Sequence, residues 1–133
     1  MIPERYAPTT YALFRIVFGF LFMCQGLQKL VGWFGGFGGS GQPAPMASIF
    51  GMAAIIEVLC GLVILLGLAT KLAAFLASGE MAVAYFYAHQ PQGMWPIENQ
   101  GERAVLFCFA FLYIASRGAG IWSIDSFRRK KGT

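Results

Sequence analysis

The chain has 133 residues, of which 57% are hydrophobic and only 12% are charged. An average soluble domain carries about a quarter of its residues as Asp, Glu, Lys or Arg, so this composition excludes the ordinary soluble class. It predicts an all-α protein, a four-helix bundle immersed in the lipid bilayer. The net charge of +4 comes largely from four adjacent basic residues at 128–131, which indicates contact with lipid headgroups and not with nucleic acid.

The first predicted helix spans residues 11–31, close to the roughly 20 residues that cross a hydrocarbon core of about 30 Å. We expect it to be retained, because its composition does not fit a cleaved signal peptide. Spacings of four, three, four and three residues place five residues on one face of this helix: Arg15, Gly19, Phe22, Gly26 and Lys29. The two glycines on this face predict close approach by another helix.

A Gly-rich stretch at 34–41, followed by Pro43 and Pro45, interrupts the helical pattern and predicts an external loop. The second helix is predicted over 46–66 and the third over 71–88. Because the link between them is so short, these two helices are expected to be antiparallel neighbours.

The fourth helix is predicted over 102–117, before a basic tail at 123–133. Asn99 and Glu102 match a capping box. In this motif the Asn side chain accepts a hydrogen bond from a backbone N–H at the start of the helix, and the Glu side chain reaches back to the backbone N–H of the Asn. Most Lys and Arg residues fall on the side of the two termini, so the positive-inside rule predicts an N-in/C-in topology. The whole chain is predicted to be a single membrane domain.

Two acidic residues, Glu57 and Glu80, interrupt the second and third helices near their centres. Small residues such as Gly61 share their faces, so both carboxyl groups are predicted to point into the bundle. One of them should hold a proton or pair with Arg15 or Lys29, and helix geometry predicts Arg15 about 6 Å from Glu80 along the bundle axis. The acids would be either proton carriers or ligand anchors beside a cleft, or interhelical hydrogen-bonding groups that only hold the helices together.

Gln25 and Gln28 lie close to Lys29 and form either a polar mouth to such a cleft or simply a polar helix end. The three cysteines are widely separated and His89 is the only histidine. One chain therefore supplies neither a CxxC pair nor two haem ligands, and we predict no metal site and no covalently bound cofactor.

An ordered set of short motifs extends through nearly the whole chain. They are Arg15-x3-Gly19-x2-Phe22-x3-Gly26-x2-Lys29, Glu57-x3-Gly61 leading to Leu66-Gly67-Leu68-Ala69-Thr70-Lys71, Asn99-x-Gly101-Glu102-x-Ala104, and Gly118-Ala119-Gly120 before Ser123 and Asp125. This set resembles the DoxX/DoxD family. The resemblance implies a four-helix protein of the bacterial cytoplasmic membrane, in a family linked to quinone-coupled oxidation of sulfur compounds and to membrane oxidoreductase complexes. The positions that match the family's polar motif are Lys29, Glu57, Asn99 and Glu102.

Taken with the buried acids, this resemblance implies the function of a multi-pass inner-membrane subunit of a quinone-linked redox, or oxidative or sulfur-stress, system. In this hypothesis a soluble or membrane-bound oxidoreductase partner supplies electrons, and a quinone docks among the helices as substrate. Glu57 and Lys29 would handle its protons. The substrate-binding residues would be Arg15, Gln25, Glu80, Asn99 and Glu102.

Two other functions stay open. One is a non-catalytic membrane anchor or scaffold for oxidoreductase partners, and the other is a small transporter or proton pathway through the two acids. The chain is not expected to be an autonomous enzyme, and a homo-oligomer is compatible with the sequence.

Overall fold

The computed structural model describes residues 1–132, which form helices, turns and loops without a β-strand. The all-α prediction is confirmed. The helices are α1 (Ala7–Leu30), α2 (Ile49–Leu66), α3 (Thr70–Ala84), α4 (Pro96–Asn99), α5 (Glu102–Arg117) and α6 (Ile124–Lys131).

The helix ends follow from local capping. α2 begins after Ser48, whose hydroxyl accepts a hydrogen bond from the Gly51 N–H, so it starts later than the predicted residue 46. It ends at Gly67, which has a left-handed φ of 71° and leaves no space for a side chain beside Ser123. The predicted helix 71–88 is divided into α3 and a π-helical turn at Tyr85–His89.

The core lies where α1, α2, α3 and α5 meet. Aromatic rings join α1 to α5, with the ring centroids of Phe22 and Phe111 separated by 4.7 Å and both side chains fully buried. α3 contributes the small buried residues Ala74 and Ala77, which let α5 pack close to it. The described part of the chain thus has one hydrophobic core.

α1 and α2 approach each other at three glycines. A Cβ atom added at Gly19 would lie 2.7 Å from the Leu65 nitrogen, and one at Gly26 would lie 2.6 Å from the Val58 nitrogen. On α2, a Cβ at Gly61 would lie 2.5 Å from the Met23 nitrogen. We call this contact of Gly19, Gly26 and Gly61 the glycine interface. It confirms the predicted close approach at the glycine-bearing face of α1.

Large apolar side chains cover the outer faces of all four long helices. Exposed examples are Leu13, Val17 and Phe20 on α1; Leu59 and Leu62 on α2; Leu72, Phe75 and Leu76 on α3; and Leu106, Phe109 and Leu112 on α5. By length and composition, the stretch Glu4–Leu30 and the helix Ile49–Leu66 are suited to crossing a membrane.

The C-terminal segment folds back onto the turn between α2 and α3. The Asp125 carboxylate accepts hydrogen bonds from the Ala69 and Thr70 N–H groups and from the Thr70 hydroxyl, at 3.0 to 3.1 Å. Partial burial alone would raise the pKa of Asp125, but the bonds from Thr70 and Ala69, with the nearby Arg128 charge, bring it below the ordinary value of 3.8. Asp125 therefore caps α3 in its ionised form.

We predict that Gly61→Ala separates α1 from α2, because the added methyl group meets the backbone of α1. The expected destabilisation is about 1 to 3 kcal/mol, measured as the free energy of unfolding in detergent. The matched control is Gly79→Ala on α3, where the new Cβ meets no atom within 4 Å. That change should stabilise the helix by about 0.5 to 1 kcal/mol. Equal effects of the two substitutions would contradict the interpretation.

We predict that Asp125→Asn loosens the docked C-terminal segment and costs about 1 kcal/mol, as expected for loss of a helix cap. Because the pKa of Asp125 is lower in the folded protein than in the unfolded chain, its stabilising contribution is present at neutral pH. This contribution is lost as the pH falls through 3.8 and below. Amide hydrogen exchange at Ala69 and Thr70 checks both effects, with the exposed Glu4→Gln as control. Unchanged exchange in Asp125→Asn would contradict the capping role.

Candidate functional site

A buried ion pair joins α1 to α2. Lys29 lies in the last turn of α1, and its Nζ is 2.6 Å from Oε1 of Glu57. Glu57 is completely buried, whereas the Lys29 side chain keeps 20% of its surface exposed. The pair follows from the glycine interface. Gly26 lies against Ala54 and Val58 of α2, on either side of Glu57 in the sequence, and Lys29 is one helical turn after Gly26. The predicted pairing of a buried acid with Lys29 is therefore present.

A second carboxyl group faces this pair from α3. Glu80 is partly buried and interacts electrostatically with Glu57 and with Lys29. Within residues 1–132, Oε2 of Glu57 and Oε2 of Glu80 are buried without a hydrogen-bond partner. Two carboxyl groups thus share one cation and keep two oxygen atoms open, an arrangement that can accept a proton or a donor group of a ligand.

An open cavity of about 410 Å³ lies between α1 and α5, and Lys29, Glu57 and Glu80 are not part of its lining. Its walls are mainly apolar, and its polar lining residues are Gln25, Gln28 and Arg103. Gln25 lies one helical turn before Lys29, which sets their Cβ atoms about 5 to 6 Å apart. Gln28 donates a hydrogen bond to the Phe34 carbonyl at 3.0 Å, so it links the cavity to the Gly-rich loop. Both glutamines therefore line this cavity.

Arg15 lies far from this cleft, and the prediction that it approaches Glu80 is wrong. Its Nη1 donates to the Ile64 and Leu65 carbonyls at 2.7 and 2.8 Å, and its Nη2 donates to the Trp122 carbonyl at 2.8 Å. The last carbonyl groups of a helix have no hydrogen-bond donor within the helix, and for α2 the Arg15 side chain is that donor. Arg15 therefore has a structural role at the end of the bundle that carries the termini.

Asn99 and Glu102 are not brought into the cleft either, and they do not form the predicted capping box. Asn99 ends the short helix α4, and its Oδ1 accepts from the Gly101 N–H at 2.9 Å. Its Nδ2 donates to the Gly93 carbonyl and to the Tyr85 hydroxyl, at 3.0 and 3.3 Å. Glu102 is exposed at the start of α5 and does not reach back. The pattern matched, but Gln100 at a left-handed φ of 60° separates the two residues into different helices.

Arg103 also lines the cavity, although it was not among the predicted site residues. Arg103, Leu106 and Phe107 line the α5 wall at helical spacings of three and four. That spacing was visible in the sequence, but nothing in it indicated that this face of α5 opposes Gln25.

The profile of the DoxX family matches residues 10–90, which include most of α1 and all of α2 and α3. The match also includes Lys29, Glu57 and Glu80, which we call the polar centre. The chain belongs to the DoxX family. The predicted resemblance is confirmed over these residues. The family match also agrees with the apolar outer faces of the helices, and the protein is a membrane protein.

Relatives of this DoxX protein extend over nearly its whole length. An uncharacterized protein of Haemophilus influenzae is 36% identical over 130 residues, which cover 92% of this chain and 93% of that protein. An uncharacterized membrane protein of Mycobacterium tuberculosis is 25% identical over 144 residues, which cover 95% of this chain and 85% of that protein. No solved structure matches the chain.

We predict that the ion pair of this DoxX protein behaves as a coupled unit. Lys29→Met leaves a fully buried carboxyl group without its cation and should cost about 3 kcal/mol or more in free energy of unfolding. Combining Lys29→Met with Glu57→Leu removes both charges and should recover much of that loss. Unfolding of the wild type, both single variants and the double variant measures the coupling energy. Additive effects of the two substitutions would contradict the coupling.

Proposed function

We propose that all four long helices cross the bacterial cytoplasmic membrane, with both termini in the cytoplasm and the Gly-rich loop outside. The exposed apolar side chains on α1, α2, α3 and α5 support this arrangement, because lipid is the solvent that suits them. α3 has only 15 residues, but the π-helical turn Tyr85–His89 continues it. Together they give about 30 Å of helix at 1.5 Å per residue.

We propose that the protein is the membrane subunit of a quinone-linked redox system and binds a quinone as substrate in the cavity between α1 and α5. The observation that carries the proposal is the pair of buried, open carboxylate oxygens on Glu57 and Glu80. The link to the cavity is Gln25 of its lining, which lies one helical turn before Lys29 on α1. Purely structural buried carboxyl groups normally have both oxygens satisfied. Groups left open within a membrane helix bundle support a role in proton transfer.

The cavity suits a small ring with two carbonyl groups. Its volume of about 410 Å³ falls in the usual range for small-molecule sites, and its walls are mostly aromatic and aliphatic. The side-chain amides of Gln25 and Gln28 can donate hydrogen bonds to carbonyl oxygens at the polar end. Arg103 adds a positive charge there, which favours an oxygen atom that becomes more negative.

A quinone, when bound, takes up two electrons and two protons during its reduction. The part of this chain would be to orient the ring through Gln25 and to hold protons at Oε2 of Glu57 and of Glu80. In the described residues Lys29 bonds to Glu57 and not to Glu80, and in this proposal a proton passes between the two acids. Electrons would come from a soluble or membrane-bound oxidoreductase partner.

We predict that the purified protein in nanodiscs binds a soluble quinone analogue such as decylubiquinone, and that Glu57→Gln weakens this binding about tenfold. Leu106→Trp, which fills the cavity, should abolish binding. The matched controls are Glu4→Gln, an exposed acid, and Leu112→Trp, which makes the same change on α5 outside the cavity. Titration by fluorescence quenching measures all five proteins.

Two results would reject the quinone proposal. One is the absence of saturable binding to the folded wild type, and the other is equal binding by Leu106→Trp and Leu112→Trp. In either case the non-catalytic scaffold becomes the better interpretation, since a scaffold needs no cavity.

A further inference from the structure

A second cavity, of about 650 Å³, lies at the opposite end of the bundle, where both termini are found. It is open and bounded by the start of α3, the end of α5 and the first part of α6. Four cationic side chains line it: Lys71, Arg117, Arg128 and Arg129. We call it the basic cavity.

The positive charge of the basic cavity is only weakly compensated. Asp125 is the single acidic residue in its lining, and its carboxylate is already used to cap Ala69 and Thr70. In the part of the chain that the structure describes, no salt bridge joins these four cations to a carboxylate, although the Arg128 charge acts on Asp125. Four cations around one concave surface repel each other, and an anion between them would relieve that repulsion.

The four cations are held by different elements, which shapes the cavity. The Arg117 guanidinium lies over the Tyr11 ring at 5.2 Å from its centroid. The aliphatic chain of Lys71 passes close to Gly118, where an added Cβ would lie 3.2 Å from its Cε. Arg128 and Arg129 come from α6, which the Asp125 cap fixes against the turn. The cations therefore converge from three helices and are not a simple run along the tail.

We propose that the basic cavity binds a phosphate group, carried either by an anionic lipid headgroup or by a small soluble phosphate. Several guanidinium groups around one concave surface match the oxygen atoms of a phosphate group. Trp122 and Phe127, in the same C-terminal segment, are exposed apolar side chains and would contact acyl chains if the phosphate belongs to a lipid. Asp125 occupies the start of α3, so side chains and not the helix end supply the contacts.

Two pairs of basic residues in α6 provide a matched control for this proposal. Arg128 and Arg129 line the basic cavity, whereas the next two residues, Lys130 and Lys131, do not. The double variants R128Q/R129Q and K130Q/K131Q remove the same charge from the same helix. If a phosphate binds in the basic cavity, R128Q/R129Q should weaken its binding more than K130Q/K131Q does. If anions are only attracted diffusely to the basic tail, the two double variants should have equal effects.

The experiment titrates the full-length protein in detergent with short-chain phosphatidylglycerol, with short-chain phosphatidylcholine and with inorganic phosphate, followed by calorimetry. We expect saturable binding that R128Q/R129Q weakens about tenfold and K130Q/K131Q by no more than about twofold. Lys71→Gln, on α3, should weaken it as well without disturbing α6. Thermal unfolding of each variant verifies that it is folded.

The three titrants distinguish the sources of the phosphate. Binding of phosphatidylglycerol in preference to phosphatidylcholine supports a lipid headgroup, and binding of inorganic phosphate with the same dependence on Arg128 and Arg129 supports a soluble ligand. Equal weakening by the two double variants, or no saturable binding of any titrant, would overturn the proposal. This test is independent of the quinone proposal, because it involves no residue of the first cavity.

Discussion

The close approach of α1 and α2 is the constraint on which the rest of the structure depends. At Gly19, Gly26 and Gly61 the backbone of one helix contacts the backbone of the other, and there is no space for a methyl group. Glu57 is thereby closed off from solvent on its own helix and needs a cation from the neighbouring one. Lys29 supplies that cation because the same interface that buries Glu57 also sets the last turn of α1 beside it.

The charges of this polar centre do not balance. Glu57 and Glu80 interact with each other and share Lys29, and each keeps one buried oxygen without a hydrogen bond in the described residues. Burying a hydrogen-bond acceptor without a donor costs free energy of folding. A polar centre that only held the helices together would be expected to provide a donor for each oxygen. The proposed function assigns these open oxygens to a proton or to a donor group of a ligand.

Helical spacing allowed the glycine-bearing face of α1 and the Lys29–Glu57 pair to be predicted, since residues three and four apart must share a face. It could not identify the partner of Arg15. Arg15 shares that face but lies 14 residues before Lys29, or about 21 Å away along the helix. Its acceptors are carbonyls of α2 and of the segment after α5, and that segment returns to the bundle through backbone conformations that no hydrophobic pattern records. The Asn99 pattern failed for a related reason, because a single left-handed residue, Gln100, divides it.

The polar groups at the helix ends and the acids of the polar centre differ in how completely they are hydrogen-bonded. At the end with the termini, free helix carbonyls and N–H groups are satisfied by side chains from elsewhere in the chain, Arg15 for α2 and Asp125 for α3. These long-range bonds fix α1, α2 and α3 in register without help from the polar centre. The polar centre also joins α1 to α2, through Lys29 and Glu57, but one oxygen of each of its acids is left without a hydrogen bond in the described residues. The unpaired oxygens belong to acids near the middle of their helices, and it is in such places that local rules of satisfaction are expected to give way to function.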